Sequence, residues 1–287
     1  MEPAISIEQL SKRYGPHAAA GTLLALDRIE LEIPRGQFFS ILGPSGCGKS
    51  TLLHAIDGLA SAEGTIRVNG RPVTGPGLDR GVVFQDYALF PWRTVLENVA
   101  FGLEIKRLPA AERTRIAREQ LALVGLSGFE HRYPAQLSGG MKQRVAIARA
   151  LAFDPDVLLM DEPFAALDAQ TREILQAELL RIWERTGKTV VFVTHSIDEA
   201  VFLSQRVAVM TARPGRIKEI LEIDLPARTD RDLRSTPEFA ALRHRAWELL
   251  SAEVAAAREA PPVPLAGSRD RRGAFGAFRR LVVGGAE

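Results

Sequence analysis

The chain has 287 residues, 46% of them hydrophobic and 25% charged, which are ordinary values for a globular protein that buries a sizeable core. It contains no run near the roughly 18 apolar residues that span a bilayer and no apolar stretch behind a basic start, so we expect neither a membrane span nor a secretory signal. Its one cysteine, Cys47, excludes an internal disulfide framework and fits a reducing cytoplasm.

The basic charge is concentrated in the last residues of the chain. Residues 261–287 hold five arginines against Asp270 and Glu287, a net of +3, whereas the whole chain carries +2 and residues 1–260 therefore about −1. We accordingly expect no nucleic-acid partner for the folded part. The tail is rich in Pro, Gly and Arg and is expected to be disordered, and contact of 277–283 with an anionic membrane surface is the alternative to a solvated tail.

Short apolar runs alternate with longer segments of helical period, which predicts an α/β domain. The predicted strands are 37–42, 81–84, 157–160 and 190–193. The predicted helices are 49–59, most of 91–152, and 172–185. Further along, a Pro-Gly turn within 210–217 predicts a hairpin, and Thr236 is a candidate N-cap for a last helix.

Local signals refine the helical stretch and the last helix. Pro109 suits a first helical position, and Gly125 suits the residue just beyond a helix end. Two sets of apolar residues at helical spacing predict packed faces. They are Ile116, Leu121 and Val124 in the first case, and Phe239, Leu242, Ala246 and Leu249 in the second.

The strongest chemical signal is a glycine-rich loop between the first predicted strand and helix. It consists of Gly43, Pro44, Ser45, Gly46, Cys47, Gly48, Lys49, Ser50 and Thr51. The pattern and its strand–loop–helix setting match a phosphate-binding loop, whose backbone N–H groups and helix N-terminus hold phosphate. Lys49 would bridge the β- and γ-phosphates of a nucleoside triphosphate, and Ser50 would bind Mg²⁺.

An acidic pair follows the strand 157–160. Asp161 would hold Mg²⁺ directly or through water, and Glu162 would act as general base on the attacking water. Alone, such a pair is more often a loop start or a helix cap. The phosphate loop upstream favours the catalytic interpretation.

A third motif makes a family resemblance specific. Leu137-Ser138-Gly139-Gly140-Met141 precedes a basic helical run, and the chain here resembles an ATP-binding-cassette (ABC) ATPase over roughly residues 4–255. The family usually has Gln where this chain has Met141. Ser138, Gly139 and Gly140 at a helix N-terminus could still offer N–H and hydroxyl groups to a γ-phosphate, although the same residues also suit an ordinary N-cap.

The resemblance implies roles for four further residues. Tyr14 matches the aromatic residue that stacks on adenine, and Gln85 matches the glutamine that reaches Mg²⁺ and water. Asp168 lies in the segment that resembles the dimer-interface loop. His195 matches the switch histidine that contacts the γ-phosphate, with Ser196 where the family often has Asp.

The implied fold is a P-loop NTPase: a RecA-like core sheet with helices, an ABC-type antiparallel β subdomain and an inserted helical subdomain. The ATPase domain is expected over 4–260. Within it, the core and β subdomain would comprise 4–88 and 156–230, the helical signature subdomain 89–155, and a C-terminal helix 231–260. ATP and Mg²⁺ are the implied substrate and cofactor.

The same resemblance implies a homodimer in which the signature of one subunit closes over ATP held by the other. The dimer would drive a separate membrane permease, which Phe90 and Trp92 would contact, unless these two aromatic side chains are ordinary core. A solute-binding protein would act through the permease. The chain would then lie at the cytoplasmic face of the inner membrane.

Finer likenesses indicate a subgroup. Residues 75–85, 89–99, 212–217 and 225–228 resemble the taurine, alkanesulfonate and nitrate importer ATPases, with taurine-type members most similar around 75–85. A small anionic solute is thus expected, most simply a sulfonate, with nitrate, cyanate, bicarbonate or a pyrimidine precursor as alternatives. The transported molecule itself is selected by the permease and binding protein.

Two other classes of protein fit less well. Non-transport ABC ATPases usually carry a long coiled-coil or zinc-binding insert or a second cassette, whereas only about 75 residues separate Gln85 from Asp161 here. A regulatory nucleotide-binding module should lack Glu162 or His195, and both are present.

Overall fold

The computed structural model describes residues 2–15, 22–225 and 233–259, without the side chains of 256–259. The strands in these ranges are β1 Ile5–Tyr14, β2 Leu23–Ile33, β3 Phe38–Leu42, β4 Glu63–Val68, β5 Arg71–Pro72, β6 Arg80–Val83, β7 Val157–Asp161, β8 Thr189–Thr194, β9 Arg206–Met210 and β10 Ile217–Glu222. The α-helices are α1 Lys49–Asp57, α2 Val95–Ile105, α3 Ala110–Leu123, α4 Gly139–Ala152, α5 Ala169–Thr186, α6 Ile197–Leu203 and α7 Pro237–Glu259. Short 3-10 helices cover Pro134–Gln136 and Leu233–Ser235.

The central sheet has six strands in the order β10-β9-β3-β8-β7-β6. The four pairings that join β9, β3, β8, β7 and β6 are all parallel. Only β10 runs antiparallel to its neighbour, β9. Every residue of β3, β7 and β8 is buried, as expected for parallel strands covered on both faces by helices. The carboxyl ends of β3, β8, β7 and β6 therefore meet at one edge, which is where the predicted site residues follow.

A second sheet is antiparallel, in the order β2-β1-β4-β5. Its inward side chains, among them Ile5 and Ile33, which are register partners, join one hydrophobic cluster with Leu52 and Ile56 of α1. The same cluster includes Phe39 of β3, so the helix that follows the phosphate loop lies between the two sheets. This packing fixes the start of α1 from both sides.

The predicted helical stretch consists of α2, α3 and α4 with the first 3-10 helix. The predicted face of α3 is confirmed, because Leu121 and Val124 are buried and Ile116 packs against the same cluster. Pro109 is the N-cap residue rather than the first helical residue, since its ψ of 146° is extended. Gly125 lies just beyond the helix with a φ of +68°, as expected of a residue that ends a helix.

The first helix ends earlier than its predicted limit of residue 59. Gly58 adopts a φ of +84°, and its N–H donates to the Ala55 carbonyl at 3.1 Å. A left-handed glycine stops the helix there because the hydrogen-bond pattern closes back on its last turn. The predicted helix at 172–185 in turn begins three residues earlier, at Ala169.

The C-terminal predictions are confirmed where the structure describes them. β9 and β10 form the predicted hairpin, and the Phe239 N–H donates to Oγ1 of Thr236 at 3.3 Å. Phe239, Ala246 and Leu249 are buried along one face of α7. The tail 261–287 and residues 226–228 of the last family likeness lie outside the described residues. Among the described helices, none combines the length and apolar character that crossing a bilayer would demand.

Candidate nucleotide site

The phosphate loop occupies the turn between β3 and α1. Gly46 and Gly48 have φ values of +76° and +107°, in the region that favours glycine. A Cβ at Gly48 would lie 2.8 Å from Cδ2 of Leu26, so the second sheet also requires glycine there. No side chain caps the start of α1, which leaves the N–H groups of its first turn to an anion.

Lys49 is buried in this loop, with 5% of its surface exposed. Its Nζ donates to the carbonyls of Gly43 at 2.9 Å and Pro44 at 3.1 Å, and lies 3.7 Å from Oε1 of Glu162. The loop's own backbone thus holds the ammonium group beside the acidic pair. A buried cation at the N-terminus of a helix is suited to phosphate oxygens.

Ser50 and Asp161 meet across the site. Oγ of Ser50 donates to Oδ1 of Asp161 at 3.0 Å, and burial raises the pKa of that carboxyl. Hard oxygen donors side by side suit Mg²⁺, and a divalent ion would offset the cost of a buried carboxylate. Within the described ranges no group of three or more His, Cys, Asp or Glu side chains could hold a metal.

Glu162 has an uncommon backbone conformation, with a φ of +44°. Its N–H donates to the Val193 carbonyl of β8 at 3.0 Å, which holds this conformation at the end of β7. Its Oε2 lies 2.9 Å from Nδ1 of His195. Backbone strain of this kind is concentrated at functional sites. Adjacent strands β7 and β8 therefore bring the predicted base and the predicted switch histidine into direct contact.

Tyr14 contacts the phosphate loop, whereas Gln85 follows β6 without a hydrogen bond to the loop in the described chain. The Tyr14 hydroxyl is 3.2 Å from Oγ1 of Thr51, and its ring is 44% exposed with Nζ of Lys12 5.1 Å from the centroid. The ring is therefore placed next to the phosphate loop with a face accessible for stacking. Gln85 is exposed two residues beyond β6, and in the described chain no hydrogen bond joins it to Ser50 or Asp161.

The signature residues start α4. Ser138 is the N-cap, and its Oγ accepts from the Met141 N–H at 3.3 Å. A Cβ at Gly140 would lie 2.8 Å from Cγ2 of Thr171 in α5, which gives this glycine a packing role that sequence reasoning missed. Among the hydrogen bonds and ion pairs of the described residues, none links Ser138, Gly139 or Gly140 to the phosphate loop. The polar contacts of the signature residues within the described chain are therefore those of a helix N-cap.

Asp168 caps α5. Its Oδ1 accepts from the Thr171 N–H at 2.9 Å, and the hydrogen bonds from Thr171 lower the pKa of its carboxyl. This contact explains why α5 starts before its predicted first residue, Arg172. The capping role is local, and the role of Asp168 at a dimer interface stays a prediction.

The predicted permease contact is an exposed aromatic loop. Trp92 is 69% exposed, so the alternative that it belongs to the core is wrong. Phe90 is partly buried between Trp92, at 5.7 Å between ring centroids, and Phe101, at 4.7 Å. Buried Asn98 holds the loop, since its Nδ2 donates to the carbonyls of Phe90 and Arg93, both at 3.1 Å, and its Oδ1 accepts from the Phe90 N–H at 2.8 Å.

Two arginines that the sequence interpretation passed over also shape the site. Arg213 donates from Nη2 to the Gly46 carbonyl at 2.7 Å, so the β9–β10 turn supports the phosphate loop. Arg149 of α4 donates to the carbonyls of Tyr87 at 2.9 Å and Ala88 at 2.5 Å. Burial lowers the pKa of Arg149 to about 10. In the sequence, the only indications of these contacts were that Arg213 precedes Pro-Gly and that Arg149 lies in a basic helix.

Comparison with known families agrees with this geometry. Residues 26–165 match the family described as ABC transporter. An uncharacterised ABC transporter ATP-binding protein of Methanocaldococcus jannaschii is 56% identical over 255 residues, which covers 88% of this chain and 94% of that protein. A taurine import ATP-binding protein of Rhizobium johnstonii is 50% identical over 244 residues, covering 83% of this chain and 91% of that one.

A solved structure gives the same result for the fold. The dimeric structure of an ATP-binding cassette in a post-hydrolysis state, bound to ADP and Pi, superposes with a TM-score of 0.67 at 35% identity. It covers 77% of this chain and 99% of that chain. The strand order, the loop after β3 and the helices α2–α4 are therefore those of an ATP-binding cassette.

Proposed function

The chain belongs to the ABC transporter family as an ATP-binding, ATP-hydrolysing subunit, and we propose that it powers uptake of a small anionic solute, most simply taurine or another alkanesulfonate, through a separate permease. The observation that carries the catalytic part is the contact of Glu162 with both His195, at 2.9 Å, and Lys49, at 3.7 Å. A general base, a switch group and a phosphate-binding cation are thereby gathered at one sheet edge.

In the proposed reaction a water oxygen attacks the γ-phosphorus of ATP. One P–O bond forms to the water, the bond to the β–γ bridging oxygen breaks, and ADP leaves with that electron pair. The Glu162 carboxylate accepts the water proton. Since Nδ1 of His195 is beside Glu162, Nε2 is the ring nitrogen that would contact the γ-phosphate.

The phosphate loop binds and orients the nucleotide. N–H groups of 45–51 surround the β-phosphate, Lys49 leaves its carbonyl partners for the β- and γ-oxygens, and Tyr14 stacks on adenine. Ser50 and Asp161 would hold Mg²⁺, with Gln85 reaching the site when its segment moves. When bound, the ion would neutralise phosphate charge.

We propose that two copies share each site. Ser138, Gly139 and Gly140 of one subunit would meet the γ-phosphate held by the other, and in the described part of one chain no hydrogen bond or ion pair joins them to their own loop. The solved cassette with 35% identity is dimeric, which supports this arrangement. Nucleotide binding closes the dimer, hydrolysis reopens it, and the difference between the states moves the permease at Phe90 and Trp92.

The proposed location in the cell follows from the permease and the solute-binding protein. The dimer would sit at the cytoplasmic face of the inner membrane, held there by the permease, and a solute-binding protein would deliver the solute from the other side. The domain bounds proposed from the sequence, with the helical subdomain at 89–155, place the permease contact and the signature in one unit.

The solute assignment rests on the relatives. The Rhizobium johnstonii protein at 50% identity is a taurine import ATP-binding protein, whereas the 56% identical relative has no named solute. Nitrate, cyanate, bicarbonate and a pyrimidine precursor therefore remain the alternative within the same type of importer.

Growth of a strain lacking this gene tests the proposal. We expect loss of growth with taurine or an alkanesulfonate as sole sulfur source and normal growth with sulfate or with nitrate as sole nitrogen source. The wild-type gene should restore growth and a Glu162→Gln copy, its matched control, should not. Loss on nitrate alone would favour the alternative, and normal growth on all four sources would contradict the sulfonate and the nitrate assignments.

A further inference from the structure

The loop that carries His195 is cross-linked by the residues on both sides of it. The Thr194 hydroxyl accepts a hydrogen bond from the Ser196 N–H at 3.0 Å, and these two residues flank His195 directly. The same hydroxyl donates to Oε2 of Glu199 at 2.5 Å. Because a hydroxyl has a single proton, the carboxylate of Glu199 fixes its direction and leaves a lone pair for the Ser196 amide.

Glu199 is well placed to hold that hydroxyl. It lies in the first turn of α6 with 6% of its surface exposed, and its own N–H donates to Oγ of Ser196 at 3.4 Å. Its second oxygen, Oε1, accepts from Nε2 of Gln176 at 3.2 Å in α5. Nε of Arg172 is 3.8 Å from the same oxygen. Two donors from different elements thus use the two oxygens of one carboxylate.

No other side chain of similar size would satisfy this arrangement. Gln at 199 has one oxygen and would turn its NH₂ group toward a donor, which leaves a buried donor without an acceptor. A buried carboxylate is also costly to desolvate, and burial raises the pKa of Glu199. An apolar residue would fill the space at lower cost, so the carboxylate has a use beyond packing.

We propose that Glu199 is a positioning residue for ATP hydrolysis, which acts through Thr194 to hold the His195 loop in the conformation that places His195 beside Glu162. The inference rests on the role proposed above for His195. Glu199 itself touches neither the nucleotide nor the water. Its removal should therefore lower the rate of the chemical step and leave nucleotide affinity largely intact.

The test is steady-state ATP hydrolysis by the full-length chain with single and double substitutions. We expect Glu199→Gln and Thr194→Val to lower kcat at least tenfold while KM for ATP changes less than about twofold. Thr194→Ser keeps the hydroxyl and should restore most of the rate. Asp198→Asn is the matched control, because it removes the neighbouring carboxylate, whose side chain is 57% exposed, and should have wild-type kcat.

A double substitution distinguishes a role of Glu199 in positioning His195 from a role in the stability of the whole protein. If Glu199 acts through His195, then Glu199→Gln should not slow a His195→Ala protein further. The inference would be overturned if Glu199→Gln had wild-type kcat. It would also be overturned if the fold loss in kcat of the double variant equalled the product of the two single losses. Either result would leave the proposed role of His195 intact. Full turnover in His195→Ala would overturn both. Should Glu199→Gln fail to fold, the contrast between Thr194→Val and Thr194→Ser decides, because equal rates in those two would contradict the inference.

Discussion

Oε2 of Glu162 lies 2.9 Å from Nδ1 of His195, and Oε1 of the same carboxylate lies 3.7 Å from Nζ of Lys49. One side chain thus bridges Lys49 of the loop after β3 and His195 after β8. Because its backbone is held by the Val193 carbonyl, the carboxylate is oriented by the protein itself before a nucleotide enters. Such preorganisation avoids rearrangement during the reaction.

Replacement of Glu162 by Gln should stop turnover and spare binding. The amide keeps the size of the side chain but cannot accept the water proton, so we expect kcat to fall by about 10²–10⁴. ATP affinity, measured by equilibrium binding of a fluorescent analogue, should stay within about threefold of wild type. Exposed Glu184→Gln on α5 is the control and should hydrolyse ATP normally. Unchanged turnover in Glu162→Gln would remove the residue from the mechanism.

Mixing two inactive variants should recover activity if sites are shared between chains. A Lys49→Ala subunit lacks a working loop, and a Ser138→Arg subunit lacks a working signature. A mixed dimer still has one intact loop facing one intact signature, so an equal mixture should regain up to about a quarter of the wild-type rate if the subunits exchange freely. Each variant alone should be inactive in the same ATPase assay. No recovery in a mixture shown to exchange subunits would contradict shared sites.

Trp92→Ala should impair permease binding and solute uptake without destabilising the folded subunit. The indole is 69% exposed, so its loss should change the free energy of unfolding by no more than about 0.5 kcal/mol and leave the ATPase rate of the isolated subunit unchanged. Copurification with the permease and solute uptake should both fall sharply. Trp247→Ala is the control, because that indole is also exposed, at 54%, but lies on α7. Equal loss of copurification in both variants would argue against the aromatic loop as the contact.

Gly58→Ala should destabilise the protein more than Gly187→Ala. Both glycines end helices with positive φ, +84° and +61°, so both substitutions carry a left-handed cost of about 1–2 kcal/mol. A Cβ at Gly58 would also lie 2.3 Å from the backbone of Gly75, whereas nothing lies within 4 Å at Gly187. Urea unfolding should therefore show a further loss of about 1–3 kcal/mol at Gly58. Equal losses would mean that the 75–80 loop moves aside freely.

Asp57 should make stability depend on pH. Burial raises the pKa of its carboxyl from 3.8 to about 6, so the folded state binds its proton more tightly than the unfolded state does. Below about pH 4 the carboxyl is protonated in both the folded and the unfolded state, so its charge costs nothing. As the pH rises from there through about 6, the free energy of unfolding falls, because the folded state must then bury a charged carboxylate. Relative to wild type, Asp57→Asn should gain up to roughly 3 kcal/mol of stability between pH 4 and pH 7.

Urea unfolding of both proteins at several pH values measures this gain. Asp198→Asn, which changes an exposed carboxyl, should show little change relative to wild type over the same range. A constant difference between Asp57→Asn and wild type would show that nearby Arg80 keeps Asp57 ionised throughout.

Much of the site was predictable because its residues follow the ends of strands that the sequence marks clearly. Apolar runs ending at Leu42, Met160 and Val193 locate the loop, the acidic pair and His195, and parallel pairing brings strand ends to one edge. The spacing of the motifs then identifies which side chains are candidates for nucleotide binding and hydrolysis. The α/β fold, the hairpin and the packed faces of α3 and α7 were confirmed for the same reason, since periodicity reflects burial.

Contacts between distant segments were not predictable. Arg213 supports Gly46 from 167 positions away, and Asn98 holds the aromatic loop from inside α2, with no pattern in either neighbourhood. Helix ends were misjudged where a single residue decided them, as with Gly58 and Asp168. In each of these cases the outcome depends on a tertiary partner or a local dihedral angle, which periodicity does not encode.

Helix α4 connects two segments that are proposed to be functional. Ser138 begins it, and Arg149 in its last turn grips the carbonyls of Tyr87 and Ala88, which lead into Phe90 and Trp92. Ser138 and Arg149 are eleven positions apart along unbroken α-helix, a length of about 16 Å. If a nucleotide displaced Ser138 along the helix axis, Arg149 and the Tyr87 and Ala88 carbonyls that it holds would be displaced by nearly the same distance.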